Sequence, residues 1–157
     1  MAMHACLSKI PAVLWITSAA ALAVAQPSAE LQNALTPEQF SNAEGEVLLY
    51  RLLKPAGSED AATRGEQFPL VLFLHGYGER GNDNTRQLIH LDVLATAEFA
   101  RYGAYVAVPQ CPADEGVTWT ARLSPKAKVA QSDEPTEVMQ LVIELVDELV
   151  EELPIDP

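Results

Sequence analysis

A stripe of apolar residues near the end of the sequence constrains the fold more than any other feature. Val and Leu recur there at the spacing of one helix face, at Val138, Leu141, Val142, Leu145, Val146, Leu149, Val150 and Leu153. Acidic residues fill the other side, and Pro154 ends the pattern. The spacing predicts an amphipathic helix with Pro135 in its first turn. Full burial of each such side chain contributes about 1.5–3 kcal/mol, so the helix needs a large apolar surface to pack against.

Three segments rich in Val, Leu and Tyr predict the strands that provide this surface. Residues 46–53 form the first, and a turn signal at 55–57 ends it. Residues 68–74 and 105–108 are continuous apolar runs, which are typical of strands buried on both faces of a parallel sheet. A weaker helical pattern covers residues 85–102. The order of strands and helices predicts an α/β fold with a mostly parallel sheet.

The N-terminal segment has the pattern of a secretory signal. An almost unbroken apolar run over residues 11–25 follows Lys9 and ends in Ala23-Val24-Ala25. A membrane anchor needs about 20 apolar residues, and Gln26 and Pro27 end the run too early for that. We therefore expect cleavage near Ala25, a secreted or periplasmic mature protein and no membrane attachment afterwards. The predicted organisation is a signal peptide over 1–25, a linker over 26–40 and a partial domain over 41–157.

Charge and cysteine content narrow the possible partners. The chain has 22 Asp and Glu against 10 Lys and Arg, so its average charge repels a phosphate backbone, and we expect no nucleic acid partner. His75, His90 and Cys111 lack the spacing of zinc ligands, and we expect no metal or other cofactor. Cys111 is alone after the predicted cleavage site, which excludes an internal disulfide in the mature chain. His90 is assigned to surface or helix packing.

A glycine-rich loop follows the second predicted strand. Residues 76–81, GYGERG, match the G-x-G-x-x-G pattern of a dinucleotide-binding turn. That pattern requires a helix directly after the third glycine, to bind the pyrophosphate at its N-terminus. Asn82-Asp83-Asn84 is a poor helix start, and the next strand ends in Pro109-Gln110 where a ribose-binding acid is needed. A dinucleotide-binding domain is therefore the less favoured interpretation.

The same loop begins with His75-Gly76, which favours a different chemistry. In α/β-hydrolases a strand ends in His-Gly, and the loop behind it turns a backbone N–H toward the catalytic serine. Glycine leaves room there for the substrate oxygen. The N–H stabilises the tetrahedral oxyanion.

Three sequence segments together resemble exported α/β-hydrolases. They are LVLFLHGYGERGNDN at 70–84, AYVAVPQCP at 104–112, and the amphipathic helix that continues into ELPIDP at 152–157. The resemblance covers about residues 46–157 and is to esterases related to the phospholipase/carboxylesterase, polyhydroxybutyrate-depolymerase-like and dienelactone-hydrolase-like groups. It implies the N-terminal half of an α/β-hydrolase fold and the hydrolysis of a small-molecule or polymeric carboxylic ester.

The resemblance also implies roles for the residues of the loop. Tyr77 would donate its backbone N–H to the oxyanion, and Gly76 and Gly78 would shape the loop. Four polar residues would order the loop through hydrogen bonds, or would simply be solvated: Glu79, Arg80, Asn82 and Asp83. His75 would be a structural residue and not the base of the triad. Trp119 could line the substrate cleft or anchor a loop.

The residues that would perform the chemistry are not found in this sequence. The family's nucleophile lies in G-x-S-x-G, followed along the chain by an acid and a histidine. No serine here lies in that motif, and no histidine follows His90. The resemblance therefore implies that nucleophile, acid and base all lie beyond Pro157. We predict a fragment of a serine hydrolase, truncated before the nucleophile elbow and inactive by itself. The alternative is a secreted, non-catalytic binding domain.

The resemblance finally implies the order of the sheet. The strand over 46–53 should run antiparallel to its neighbours, the strand over 105–108 should lie in the middle, and residues 70–74 should form the far edge. An open apolar edge of this kind recruits other chains, so we expect self-association through residues 70–74.

Overall fold

The computed structural model describes residues 26–120 and 134–156. A sheet of four strands, in the order β1-β2-β4-β3, forms its centre. The strands are β1 (Thr36–Ser41), β2 (Val47–Leu53), β3 (Leu70–Leu72) and β4 (Tyr105–Pro109). The α-helices are α1 (Ala29–Ala34), α2 (Ala61–Arg64), α3 (Ala97–Ala100) and α4 (Glu137–Glu152). Short 3₁₀ helices lie at Ser58–Asp60, Tyr77–Glu79, Arg86–Leu88 and Asp92–Ala95.

Two predictions concern residues outside the described part of the chain. The signal peptide expected over residues 1–25 is one of them. The other is the C-terminal boundary of the predicted domain at Pro157, because the described residues end at Asp156. The signal peptide and the boundary at Pro157 therefore stay predictions.

The sheet is mixed, as the sequence predicts. β2 runs antiparallel to both of its neighbours, β1 and β4, whereas β3 and β4 are parallel. The predicted order, with β4 in the middle and β3 on the far side, is therefore confirmed. Together with the helices, this sheet gives the predicted partial α/β fold.

Two apolar cores lie on opposite faces of the sheet, because side chains alternate along each strand. On β4, Tyr105 and Ala107 face α4, whereas Val106 and Val108 face the other side. All five residues of β4 are buried, as predicted for a strand covered on both faces. The stripe of α4 is also confirmed, since five of its residues are buried: Val138, Leu141, Val142, Leu145 and Leu149.

The start of α4 differs from the prediction. Thr136 is the N-cap, and its hydroxyl accepts a hydrogen bond from the Met139 N–H at 3.3 Å. Pro135 therefore precedes the cap and is not in the first turn. A capping threonine satisfies an N–H that has no partner inside the helix, which fixes the start more strongly than the proline does.

The prediction of a linker over residues 26–40 is wrong. This segment contains α1, capped by the Ser28 hydroxyl, and most of β1, which pairs with β2. Leu31 and Leu35 are buried in one core and Phe40 in the other. A few apolar residues thus anchor a segment whose composition is polar, and their spacing changes from helical to extended at Leu35.

The helical pattern over residues 85–102 forms two 3₁₀ helices and the short α3. Leu88, Leu91 and Leu94 are buried at its predicted apolar positions. His90 adopts a φ of 75°, which an α-helix cannot contain, and so divides the segment. Within the described residues, no helix has the length and hydropathy required to span a membrane.

The prediction that the second strand is buried on both faces is wrong. Val71, Leu72, Phe73 and Leu74 expose between 36 and 42 % of their surface. Among the described residues, β3 pairs along its length with β4 alone, and its other side is left without a paired strand.

Candidate functional site

The glycine-rich loop lies at the carboxyl end of β3. Residues 109–111, at the carboxyl end of β4, lie next to it, because β3 and β4 are parallel. The Gly81 N–H donates to the Cys111 carbonyl at 3.0 Å and holds the two segments together. Ligand sites of open α/β sheets are found at this edge.

His75 is buried at the start of the loop, and main-chain groups contact both of its ring nitrogens. The Cys111 N–H donates to Nε2 at 2.9 Å. Since a backbone N–H can only donate, Nε2 is unprotonated and the proton lies on Nδ1, 2.7 Å from the Gly76 carbonyl oxygen. Burial lowers the pKa of His75 and so favours the neutral ring. Neither nitrogen is left to act as a base toward a substrate.

Trp119 anchors the loop that follows β4. Its indole N–H donates to the His75 carbonyl at 3.0 Å, and the two rings meet edge to face with centroids 5.2 Å apart. The Thr136 hydroxyl donates to the Trp119 carbonyl at 3.0 Å. Of the two roles that the sequence leaves open for Trp119, these contacts are those of a loop anchor.

Tyr77 follows Gly76 and is largely exposed. The Arg80 guanidinium lies over its ring, with Cζ 3.9 Å from the centroid. Arg80 is itself held by the Val117 carbonyl, to which Nη1 donates at 2.6 Å. Within residues 26–120 and 134–156, the Tyr77 N–H has no hydrogen-bond acceptor, so it is available to a ligand.

The three glycines of the loop have different surroundings. A Cβ on Gly76 would lie 2.9 Å from Glu79 Oε2, the mobile end of a side chain, and a Cβ on Gly81 would lie 2.9 Å from the Gln110 amide. Gln110 is buried, so Gly81 is the position where a side chain would collide with a fixed neighbour. No atom lies within 4 Å of a Cβ placed on Gly78, which faces open space.

Asp83 fixes the second half of the loop. Its Oδ1 accepts from the Thr85 N–H at 2.9 Å, the Arg86 N–H at 3.0 Å and the Gln110 amide at 2.9 Å. Burial opposes the charged form, but these hydrogen bonds outweigh it and lower the pKa of Asp83. The carboxylate therefore stays ionised and keeps the turn closed.

Glu79 and Asn82 contribute less through their side chains. The Glu79 carbonyl accepts from the Gln110 amide at 3.5 Å, a main-chain contact. Asn82 is exposed, and no hydrogen bond of its side chain is found in the part of the chain that the structure describes.

Asn84 and Gln110 are central to the loop, and the sequence analysis missed both. Asn84 adopts a φ of 49°, and its amide donates to the carbonyls of Tyr50 at 3.0 Å and Glu38 at 3.3 Å. The side-chain oxygen of Gln110, Oε1, accepts from the Asn84 N–H at 2.7 Å. Asparagine tolerates this left-handed backbone better than most residues, so the Asn82-Asp83-Asn84 triplet carried a usable signal.

Arg51 is the third residue that sequence reasoning missed. It is buried within β2, and its Nε donates to the Asn84 carbonyl at 2.6 Å. Nη1 donates to the Leu35 carbonyl at 3.0 Å. A lone arginine inside an otherwise apolar strand is costly unless it is paired, and this was the available signal. Arg51 joins the loop to the segment that precedes β1.

The catalytic triad of the family is expected beyond Pro157, and Pro157 itself lies outside the described residues. The segment before it ends next to β3. The Asp156 N–H donates there to the Phe68 carbonyl at 2.9 Å. The oxyanion-binding role of the glycine-rich loop and the placement of the triad beyond Pro157 both stay predictions.

The arrangement of the loop does not fit a dinucleotide. Gly81 leads into bends and a 3₁₀ helix, so no α-helix N-terminus follows the third glycine. Among the described residues, no three His, Cys, Asp or Glu side chains are placed to hold a metal ion.

Comparison with known proteins finds a likeness among solved structures. No family model matches this sequence, and no curated protein matches it. Among solved structures, the chain is similar to a thermostable esterase, with a TM-score of 0.64 and 27 % sequence identity. The similarity covers 80 % of this chain and 32 % of the esterase, so the chain spans about a third of that protein's length.

The fold and this likeness together define the class. The chain has an α/β-hydrolase-like fold and is similar to part of a thermostable esterase. The subgroup of esterases stays a prediction.

Proposed function

We propose that this chain supplies the oxyanion-binding loop of an exported carboxylic-ester hydrolase that works through an acyl-serine. The observation that carries the proposal is the Tyr77 N–H at the carboxyl end of β3, which has no acceptor among the described residues, in a fold similar to that of a thermostable esterase. A small-molecule or polymeric ester would be the substrate of a complete version.

The peptide bond between Gly76 and Tyr77 is the part of the loop that would act. Its carbonyl oxygen lies 2.7 Å from His75 Nδ1 and accepts from the Glu79 N–H at 3.3 Å. In a trans peptide the N–H points away from the carbonyl. Two donors that hold the carbonyl therefore also set the direction of the Tyr77 N–H. His75 and Glu79 are positioning residues in this proposal.

A preorganised N–H is useful because charge develops during acyl transfer. When a serine attacks the ester carbonyl, the oxygen becomes an oxyanion. The Tyr77 N–H, together with the N–H of the residue after the nucleophile, would stabilise that charge without having to reorient. Gly76 and Gly78, without side chains, leave the approach to this N–H open.

The chain by itself should not catalyse this reaction. None of its serines lies in G-x-S-x-G, and both nitrogens of His75 are occupied by main-chain groups. We expect the purified chain to hydrolyse a p-nitrophenyl ester no faster than a buffer control and to resist labelling by a fluorophosphonate. Labelling of one of its serines, with matching loss of turnover, would contradict the proposal.

The loop can be tested in a chimera that supplies the missing residues, with the aligned part of the thermostable esterase replaced by this chain. Tyr77→Pro removes the N–H and should lower kcat by about 10²–10³. Tyr77→Phe keeps the N–H and should leave kcat almost unchanged.

The local geometry makes this pair of variants selective. Tyr77 is the first residue of a 3₁₀ helix, where proline fits, and Gly76 has the extended φ and ψ (−77° and 177°) that a residue before proline adopts. Tyr77→Ala controls for loss of the contact with Arg80. A large loss from Tyr77→Phe, or none from Tyr77→Pro in a folded chimera, would refute the assigned role.

A further inference from the structure

We propose that Arg51 is a positioning residue, which holds the glycine-rich loop against the C-terminus of α1 and so sets the direction of the Tyr77 N–H. This inference rests on the proposed function of Tyr77 and extends it to a residue of β2. Arg51 acts, in this proposal, through contacts that lie entirely within the described residues.

The side chain of Arg51 holds the end of α1. Nη1 donates to the Leu35 carbonyl at 3.0 Å and to the Gln32 carbonyl at 3.4 Å. Leu35 is the C-cap of α1, and Gln32 lies in its last turn. Carbonyls at the end of a helix have no partner inside the helix, and an arginine side chain can satisfy them.

The other donors of the same guanidinium bind the loop. Nε donates to the Asn84 carbonyl at 2.6 Å, and Nη2 donates to the Thr85 hydroxyl at 3.4 Å. The guanidinium is planar and its donors have fixed directions, unlike those of a lysine ammonium. Arg51 therefore fixes the position of residues 84 and 85 relative to α1.

The acceptors around Arg51 are uncharged, so these contacts define a geometry and do not neutralise a charge. In the described part of the chain, no carboxylate lies within 4.0 Å of this guanidinium. A buried guanidinium is costly unless its donors are paired. Movement of α1 or of the loop away from Arg51 would leave buried donors and carbonyls without partners, and this cost restrains the loop.

Asn84 is the residue of the loop on which Arg51 acts. Its φ of 49° is a left-handed conformation that the surrounding contacts must maintain. The Asn84 N–H donates to Gln110 Oε1 at 2.7 Å. Gln110 Nε2 donates in turn to Asp83 Oδ1 at 2.9 Å and to the Glu79 carbonyl at 3.5 Å. A shift of Asn84 therefore displaces Gln110 and, with it, both halves of the loop.

The hydrogen bonds continue from Glu79 to the peptide that would act on the substrate. The Glu79 N–H donates to the Gly76 carbonyl at 3.3 Å. That carbonyl and the Tyr77 N–H belong to the same planar peptide. A series of hydrogen bonds therefore runs from Arg51, through Asn84 and Gln110, to the group that would bind the oxyanion.

The kinetics of the chimera with the thermostable esterase test this role. Arg51→Lys keeps the charge but cannot donate to α1 and to the loop at once. It should lower kcat about tenfold and leave KM almost unchanged, because the displaced N–H acts only in the transition state. Arg64→Lys is the matched control and should keep the wild-type kcat, since Arg64 is exposed and its hydrogen bonds go to Gly57 and Glu66. A folded Arg51→Lys chimera with the wild-type kcat would overturn the proposal.

A second variant tests the proposal even if Arg51→Lys does not fold. Gln110→Met interrupts the series between Asn84 and Glu79 and leaves every bond of Arg51 intact. It should also lower kcat about tenfold. In a folded double variant with Arg51→Lys, the loss should be no larger than in either single variant, because both changes interrupt the same series. An unchanged kcat in Gln110→Met would refute the proposed connection.

The Tyr77→Pro background shows whether Arg51 acts through the Tyr77 N–H. Once that N–H is absent, Arg51→Lys should cause no further fall in kcat, whereas a general loss of structure would multiply the two effects. A further fall of about tenfold would therefore contradict the positioning role. If Tyr77→Pro itself leaves kcat unchanged, the proposed function fails and this inference fails with it. A large effect of Tyr77→Pro, with none of Arg51→Lys, would refute this inference alone.

Discussion

The His75 imidazole joins three parts of the molecule through two hydrogen bonds and one ring contact. Nε2 accepts from Cys111 after β4, Nδ1 lies against the Gly76 carbonyl, and Trp119 packs against the ring. These contacts require the neutral imidazole with its proton on Nδ1. A proton on Nε2 would break the bond from Cys111, since two donors would then face each other. The function proposed for Tyr77 thus depends on the protonation state of its neighbour.

This dependence predicts an effect of pH on stability. Burial lowers the pKa of His75 in the folded chain, so the unfolded chain binds a proton first as the pH falls below about 6.5. The contribution of the neutral ring is complete above that pH and is lost below it, by at most about 1.4 kcal/mol per pH unit. His75→Gln should flatten the dependence of the free energy of unfolding on pH between about 7 and 5.

Urea denaturation followed by circular dichroism would measure this slope. His90→Asn is the matched control, because His90 is exposed and asparagine accepts its positive φ. An unchanged slope in His75→Gln would show that the ring is not held in its neutral form.

The start of α4 connects a helix to the candidate site. Thr136 caps the helix through its hydroxyl oxygen, and the same hydroxyl donates to the carbonyl of Trp119, the anchor of the loop after β4. The helix packs its stripe on the sheet, and its N-terminus therefore fixes the position of Trp119 as well. Thr136 therefore links the N-terminus of α4, through Trp119, to His75 at the carboxyl end of β3.

Replacement of the cap tests this connection. Thr136→Ala should lower the free energy of unfolding by about 1 kcal/mol, because it leaves the Met139 N–H and the Trp119 carbonyl without partners. Thr136→Ser keeps the hydroxyl and should restore most of the stability. Thermal or urea unfolding would measure both. Equal losses for alanine and serine would mean that the methyl group, and not the hydroxyl, is responsible.

Charge is distributed unevenly over the described residues. Acidic side chains collect along α4 and the turn between β1 and β2, at one edge of the sheet, whereas the candidate site and the apolar edge of β3 lie elsewhere. Burial, and secondarily Glu152, raise the pKa of Glu148. Burial together with the charges of Glu38, Glu148 and Glu152 raises the pKa of Tyr50 to about 12.

The raised pKa of Tyr50 predicts a loss of stability in alkali. The folded chain keeps the phenol neutral, so its contribution is complete below the unfolded value of about 10 and is lost as the pH rises toward about 12. Tyr50→Phe should remove part of this alkaline loss, whereas Tyr102→Phe, at an exposed position, should not. Unfolding free energies measured on both sides of pH 10 would decide, and identical curves for the two variants would contradict the assignment.

Local sequence patterns predicted the elements whose side chains follow a regular period. The α4 stripe and the apolar run of β4 could be predicted because each element packs a regular set of side chains against a continuous apolar surface. The loop from His75 to Gly81 stays a predicted site, inferred because glycines and polar residues directly follow an apolar strand. The α/β class follows from the order of these elements alone.

Only the tertiary structure determined the N-terminal strand and the hydrogen bonds of the loop. Both depend on partners distant in the sequence. Leu31, Leu35 and Phe40 look like isolated residues in a polar stretch until β1 pairs with β2 and the two cores receive them. The tautomer of His75 is set by Cys111, and the conformation of Asn84 by Tyr50, Arg51 and Gln110. A hydrogen bond between residues about thirty positions apart leaves no period in either segment. Its donors and acceptors are brought together only when the strands pair, and at that point they determine the geometry of the site.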